Sequence, residues 1–258
     1  LSKYPKFKSK KKSKPSFYND TFQIKFTPTH VQLEKIGKIR LSEKDRIPQE
    51  KYMNPRLTYD GLKWYLSVAI EIEDNIKPIL TNESIGIDVG VKDLAILSNG
   101  IIYKNINKSK KVKKLEKKLK RLQRKTSRKY EKNKQGNKFI KTKNINKYEN
   151  KIRKIHKILT NIRTDYIQKT VTEIVRIKPS QIVMETLDIK GMMKNKHLAK
   201  FIQQQKLYEF KILIKYKSNK YGITFIEADR WYPSSKTCSE CGYIKSKLSL
   251  KEREFICE

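Results

Sequence analysis

The sequence predicts an α/β protein, and three observations carry that expectation. Short β-rich apolar runs fill residues 21–103 and recur at 181–184 and 223–228. Apolar residues at helical spacing run through 112–166. The two kinds of element follow the order β-hairpin, β, α, α, β, α, β, before a cysteine-containing tail.

Composition narrows the function classes. A chain of 258 residues allows one or two domains with a real core. Its 61 Lys+Arg against 26 Asp+Glu leave a charge of +35, a self-repulsion that a polyanion relieves. Only 11 of the 61 cations are Arg, so a Lys-rich bias accounts for Lys over Arg but not for the shortage of acids. Nucleic acid is the expected partner. No apolar run approaches the roughly 18 residues of a membrane-spanning helix, and no membrane partner is expected. The three cysteines all fall in the last 21 residues, and no signal peptide is expected before them. An odd, clustered set of this kind does not look like a disulfide framework, and a reducing, cytoplasmic compartment is expected. The chain opens on Leu1 and reads as a fragment or a processed product.

Residues 1–20 carry Lys3, Lys6, Lys8, Lys10, Lys11, Lys12 and Lys14 with no acid among them, as a disordered tail or a phosphate-contacting arm would. Phe22, Ile24 and Phe26 alternate as in a strand, as do Val31 and Leu33. A turn at Tyr59-Asp60-Gly61 separates Leu57 from the run 64–70, an antiparallel hairpin in a small sheet or partial barrel. Residues 85–90 form a strand, 94–97 a second, and Asn99-Gly100 turns into a third at 101–103. Val112, Leu115, Leu119 and Leu122 make one helical stripe; Ile152, Ile155, Leu159, Ile162 and Tyr166 make another. A break falls between them around Asn133–Asn137, and Lys178-Pro179 ends the second helix. Between Lys104 and Lys157 there are 24 Lys/Arg against three Glu. Two antiparallel helices with an apolar seam and a basic outer surface fit this. The outer surface (Lys113, Lys117, Arg121, Arg124, Lys125, Arg128) is the expected nucleic-acid backbone contact. A short strand at 181–184, one helix over 198–221 and a strand at 223–228 complete the series.

Chemistry concentrates at two places. Asp88 lies between Ile87 and Val89, with glycines at 86 and 90; Glu185 follows the apolar run Ile182-Val183-Met184. Either acid alone reads as a solvated strand-end residue. Together, at adjacent strand ends in so basic a chain, they suit hard divalent cations and phosphodiester hydrolysis by paired metals. In the tail, Cys238-Ser-Glu-Cys241 and Cys257 match three of four ligands of a zinc ribbon, with Gly242 suited to the knuckle. Trp231 and Tyr232, beside Arg230 and Lys236, either stack on bases or pack the ribbon onto the core. His30, His156 and His197 show no ligand spacing and read as structural.

These motifs carry a family resemblance. Ile85-Gly86-Ile87-Asp88-Val89-Gly90 resembles the first motif of RuvC-like nuclease domains, and residues 183–192 (Val-Met-Glu-Thr-Leu-Asp-Ile-Lys-Gly-Met) resemble the second. The stretch 229–242, from Asp229-Arg230-Trp231 to Cys241-Gly242, is similar to the start of the zinc ribbon in TnpB (OrfB) proteins of insertion sequences. The resemblance implies an RNase H-like core over 81–230 with a basic helical insertion at 104–178. Before it would stand a basic arm and part of a wedge β-barrel over 1–80, and after it an incomplete zinc ribbon over 231–258. It implies a transposon-encoded DNA endonuclease, long described as a transposase, guided by RNA from the element's end and leaving room for a companion transposase. Asp88 and Glu185 would be two of three catalytic acids holding Mg²⁺, and Cys238, Cys241 and Cys257 would hold structural Zn²⁺. The family's third acid and fourth zinc ligand would fall beyond Glu258, so the chain alone is expected to be inactive or very weak. Thr186 departs from the Asn or Asp common in the family at that place. Two other classes fit the same composition: a non-catalytic nucleic-acid-binding remnant, and a cut-and-paste transposase that needs no RNA.

Overall fold

The structure is a computed structural model that describes residues 13–46, 52–71, 78–229, 233, 236–238 and 240–245. The chain forms two compact units: Leu1–Ile76 with Lys117–Ile158, and Lys77–Glu116 with Leu159–Glu258.

The N-terminal part of the first unit holds two small antiparallel sheets. In chain order its strands are β1 (Ser16–Tyr18), β2 (Lys25–Phe26), β3 (His30–Leu33), β4 (Gly37–Arg40), β5 (Tyr52–Tyr59) and β6 (Trp64–Ile70). They pair as β1-β5-β6 and β2-β3-β4. Ile24, Val31, Leu33 and Leu57 form the core between them. The expected alternation at Phe22 is not realised, and Phe22 is 93% exposed. Asp20 Oδ1 accepts from the Phe22 amide at 2.8 Å, and this side-chain turn takes the donor that a strand ladder would need. The β5–β6 hairpin forms as the sequence predicts, with Gly61 at φ +91° in the turn.

Asp60 fastens that hairpin. Its Oδ1 accepts from the amides of Leu62 and Lys63, both at 2.9 Å, and its Oδ2 lies 3.1 Å from Lys157 Nζ. The Lys157 ammonium also sits 5.1 Å from the centre of the Tyr65 ring. The Lys63 amide, helped by Leu62 and Lys157 and opposed by burial, holds the Asp60 carboxyl well below the usual carboxylate range.

Strands β7 (Ser84–Val89), β8 (Asp93–Leu97) and β9 (Ile102–Lys104) open the second unit, and a 3-10 turn at Ile106–Lys108 follows. Helix α1 (Lys110–Lys132) leads through β10 (Lys134–Gln135) and β11 (Lys138–Phe139) into α2 (Lys143–Arg176). The unit boundary falls within both helices. The break expected around Asn133–Asn137 is a minimal hairpin with Gly136 at φ +55°. The helices run antiparallel. Tyr130 donates to Glu149 at 2.6 Å, and Arg163 donates to Glu116 at 3.0 Å, so fourteen residues back on one helix match fourteen forward on the other.

Strand β12 (Gln181–Glu185), short α3 (Ile189–Met192), α4 (Ala199–Gln205), α5 (Leu207–Tyr221) and β13 (Thr224–Ala228) complete the unit. The single helix expected over 198–221 is two. Lys206 turns left-handed at φ +55°, and its ammonium donates to Thr164 Oγ1 at 2.7 Å. Gly222, at φ +74°, caps α5. The five-stranded sheet has the order β13-β12-β7-β8-β9. β13, β12 and β7 are mutually parallel, whereas β7, β8 and β9 alternate in direction. Ile85, Ile87, Val89, Ile182 and Met184 form one face of this sheet and share a core with Ile167, Val171 and Ile174 of α2 and Phe210 and Ile214 of α5.

Phe210 is fully buried at the centre of that core. Phe210→Ala is expected to destabilise the second unit by about 3–5 kcal/mol, read as faster hydrogen exchange of the β7 and β12 amides. For Asp60 the sign follows from a folded-state pKa below the unfolded one. Its contribution is present at neutral pH and is lost as pH falls below about 3.9 toward the lower folded value. Asp60→Asn should therefore lower stability at pH 7, with the gap to wild type closing as a denaturation series is carried down in pH from about 4.

Candidate active site

The parallel register of β7 and β12 decides where the two candidate carboxylates go. Ile182 pairs with Ile85, Val183 with Gly86 and Met184 with Ile87, so the next step sets Glu185 beside Asp88. Side chains alternate along a strand. Ile85, Ile87, Ile182 and Met184 point into the core, so Asp88 and Glu185 share the opposite face, and both are exposed. The strands that carry them are parallel and end together, the place where open α/β sheets offer a crevice. Partial desolvation pushes the Asp88 carboxyl up, against the pull of the Val89 amide.

The surroundings are open and partly apolar. Ile96 is the direct neighbour of Asp88 on β8 and pairs with Ile102 on β9; Ile226 of β13 neighbours Val183. All three isoleucines are exposed. Gly86 donates to Ser98 Oγ at 3.0 Å, and a Cβ there would make only ordinary contact with Ser98. The site thus has no backbone cradle at Gly86. Asp188 does not join the pair as a bare acid: it caps α3, accepting from Gly191 at 2.9 Å. A Cβ at Gly191 would lie 2.2 Å from Asp188 Oδ2, so a larger residue there would displace the Asp188 cap. Among the described residues no three His, Cys, Asp or Glu side chains gather as a metal-binding group. His156 and His197 are exposed, and His30 Nδ1 bonds its neighbour Thr29 Oγ1 at 2.8 Å.

The basic surface lies on α1. Val112 and Thr126 are buried and Leu115, Leu119 and Leu122 half-buried along one side. Lys113, Lys117, Arg121, Arg124 and Arg128 line the other side at spacings of four, four, three and four, with Lys125 next to them; all six are exposed. Among the described residues none of the six makes an ion pair. Two of the three nearby acids are already engaged, Glu116 by Arg163 and Glu149 by Lys141 and Arg153.

In the tail, the amide of Cys238 donates to Tyr243 O at 2.8 Å and that of Gly242 to Cys238 O at 3.1 Å. Thr237 and Ile244 bridge, and Gly242 sits at φ +76°. Cys238 and Cys241 therefore stand on one tight knuckle, which the Cys-x-x-Cys-Gly spacing predicted. Lys236 is at its base, where its carbonyl accepts from Lys245. Cys257, Arg230 and Trp231, named from the sequence, lie outside the described residues.

Sequence reasoning missed the amides around the loop after Asp88. Gln205 and Asn105, 3% and 7% exposed, donate to carbonyls of that loop. A buried amide between a strand and a helix has no periodic signature, and only the unexpected break after Gln205 marks it.

The chain is similar to several known proteins. Residues 208–258 match the Cas12f1-like TNB domain. A Streptomyces pristinaespiralis protein named "Putative RNA-guided DNA endonuclease" is 31% identical over all of this chain and 61% of its own length. The Escherichia coli K12 protein "Putative RNA-guided DNA endonuclease InsQ" is 27% identical over 99% of this chain and 63% of its own. The chain thus spans about three fifths of the length of these curated relatives. A cryo-EM structure of a Cas12f1–sgRNA–target DNA complex shares the fold, with a TM-score of 0.50 and 20% identity over 81% of this chain and 43% of that one. The profile of the OrfB_IS605 family, described as probable transposase, matches residues 67–196, just over half of the chain. The chain belongs to the OrfB_IS605 family of probable transposases.

Proposed function

We propose that this chain is part of a TnpB-like, RNA-guided DNA endonuclease that hydrolyses phosphodiesters in its complete form, and that it carries two of the catalytic acids. The observation that carries the reading is the placement of Asp88 and Glu185 side by side on the exposed face of two parallel strands. The strand order β13-β12-β7-β8-β9, with β7 at the centre and β8 antiparallel beside it, supports an RNase H-like core interrupted by a basic helical insertion. The names of the curated relatives point the same way. In this reading residues 1–80 are a basic arm and part of a wedge barrel, 81–230 the nuclease core with its helical insertion at 104–178, and 231–258 an incomplete zinc ribbon.

Two adjacent carboxylates offer only hard oxygen donors, which fits Mg²⁺. Asp88 and Glu185 would hold it, and the bound ion would stabilise negative charge on a scissile phosphate and activate water. Cys238 and Cys241 on their knuckle, with Cys257, fit Zn²⁺ through soft thiolates. The residues of this chain would do the rest. The uncovered face around Ile96, Ile102 and Ile226 leaves room for a strand of DNA beside the acids. The α1 cations would bind the phosphate backbone of the guide RNA or its heteroduplex by charge and shape, leaving sequence to base pairing. No described helix is long and apolar enough to cross a membrane, and the reading carries a cytoplasmic location.

Two measurements test it. Mn²⁺, a Mg²⁺ surrogate with a spectroscopic signal, should bind the purified chain, and Asp88→Asn and Glu185→Gln should each weaken that binding at least tenfold; equal affinity in all three proteins would sink the carboxylate-pair reading. A 20-base-pair RNA–DNA heteroduplex should bind with a steep salt dependence. The triple change Arg121→Ala, Arg124→Ala and Arg128→Ala should reduce the slope of log K against log salt by roughly 2–3. An unchanged slope would remove α1 from the interface.

A further inference from the structure

The loop after Asp88 is held by side chains in an unusual way. Three consecutive carbonyls are each taken by a side-chain donor: Gly90 O by Gln205 Nε2 at 3.1 Å, Val91 O by Asn105 Nδ2 at 2.8 Å and Lys92 O by Lys108 Nζ at 2.7 Å. The two amide donors are buried, so their remaining polar atoms need partners. Asn107 supplies both. Its Nδ2 donates to Gln205 Oε1 at 3.1 Å, and its backbone amide donates to Asn105 Oδ1 at 2.8 Å. The free acceptor of Asn107 then faces the other way, and Arg163 Nε donates to its Oδ1 at 2.7 Å. Arg163 reaches on to Glu116 of α1 at 3.0 Å, and Gln204 donates to the same Glu116 oxygen at 2.8 Å. The chain of bonds therefore runs without a gap from the loop beside Asp88 to the root of the basic helix.

Resting on the nuclease reading, we infer that Asn107 and Gln205 are positioning residues. They fix the loop that follows Asp88, and with it the approach of the Asp88 carboxylate to Glu185, in register with the root of α1. A buried network with every member satisfied has one low-energy arrangement, and losing one member leaves several groups unpaired. Hydrogen-bonded partners behind metal-binding carboxylates set affinity in the same way, typically by 10–100-fold when removed. Coupling follows from the geometry. A movement of α1 on binding nucleic acid reaches Arg163 through Glu116, Asn107 through Arg163, and the loop through Gln205. If both ligands bias this element, each must change the other's affinity by the same factor.

Asn107→Asp separates the two halves of the network. It keeps the acceptor for Arg163 and removes the donor to Gln205. Gln205→Ala removes the donor to Gly90 directly. The test measures Mn²⁺ affinity of the full 258-residue chain with and without the 20-base-pair heteroduplex, with hydrogen exchange of the amides in 90–94 read in parallel. In the wild type the heteroduplex should change Mn²⁺ affinity several-fold. Both variants should bind heteroduplex as the wild type does, bind Mn²⁺ about tenfold more weakly, lose the heteroduplex effect, and exchange faster at 90–94 while α5 stays protected. A purely structural role predicts loss of protection throughout the unit. Folded variants whose Mn²⁺ affinity and heteroduplex effect stay within twofold of wild type overturn the inference. Asp88→Asn separates this from failure of the underlying reading. If it too leaves Mn²⁺ affinity unchanged, the carboxylate pair is not the metal site and both fall; if it abolishes Mn²⁺ binding while the network variants change nothing, only the positioning role falls.

Discussion

Parallel pairing between β7 and β12 is the constraint on which the rest depends. The two strands lie almost a hundred residues apart, with a hairpin and two long helices between them. Their register sets Met184 beside Ile87, and the two-residue period of a strand does the rest. Slipping one strand by a single residue would turn Glu185 into the core and Met184 toward water. The buried partners Ile85, Ile87, Ile182 and Met184 oppose that slip, each contributing about 1.5–3 kcal/mol of burial. Hydrophobic packing on one face thus fixes the geometry of two charges on the other.

The helical hairpin shows how a strongly basic segment stays folded. Its acids are few, and Glu116 and Glu149 stand within the seam rather than on the outer surface. Tyr130 and Arg153 close on Glu149 at one place, and Arg163 and Gln204 close on Glu116 at another. Seam and outer side therefore differ. The apolar stripe and two acids hold the helices together, and the opposite side of α1 leaves its cations exposed. Neutralising that charge by binding would also stabilise the hairpin, because like charges along one helix repel.

Some of the architecture departs from simple periodicity wherever a polar side chain competes with the backbone. Asp20 captures the amide of Phe22 and ends a strand before it starts. Lys206 breaks a helix that its hydrophobic pattern runs straight through, because the left-handed turn leaves Gln205 facing the loop and the Lys206 ammonium at Thr164. Asp188 caps a short helix, and its carboxylate lies where a side chain at 191 would begin. These contacts are short in space and scattered in sequence, and residue spacing gives no warning of them.

The amino-acid sequence by itself determined the class of fold, the strand carrying Asp88, the run ending in Glu185, the two apolar helical stripes and the cysteine knuckle. Each of these is written locally, in a period of two or 3.6 residues or in a fixed ligand spacing. Tertiary structure alone decided that Asp88 and Glu185 meet on one face, because register between distant strands is a property of the assembled core. It alone decided which acids are taken up within the helical seam and which cations remain exposed. It also decided that buried amides from two separate segments converge behind the loop after Asp88, since hydrogen bonding between distant residues leaves no trace in the order of the chain.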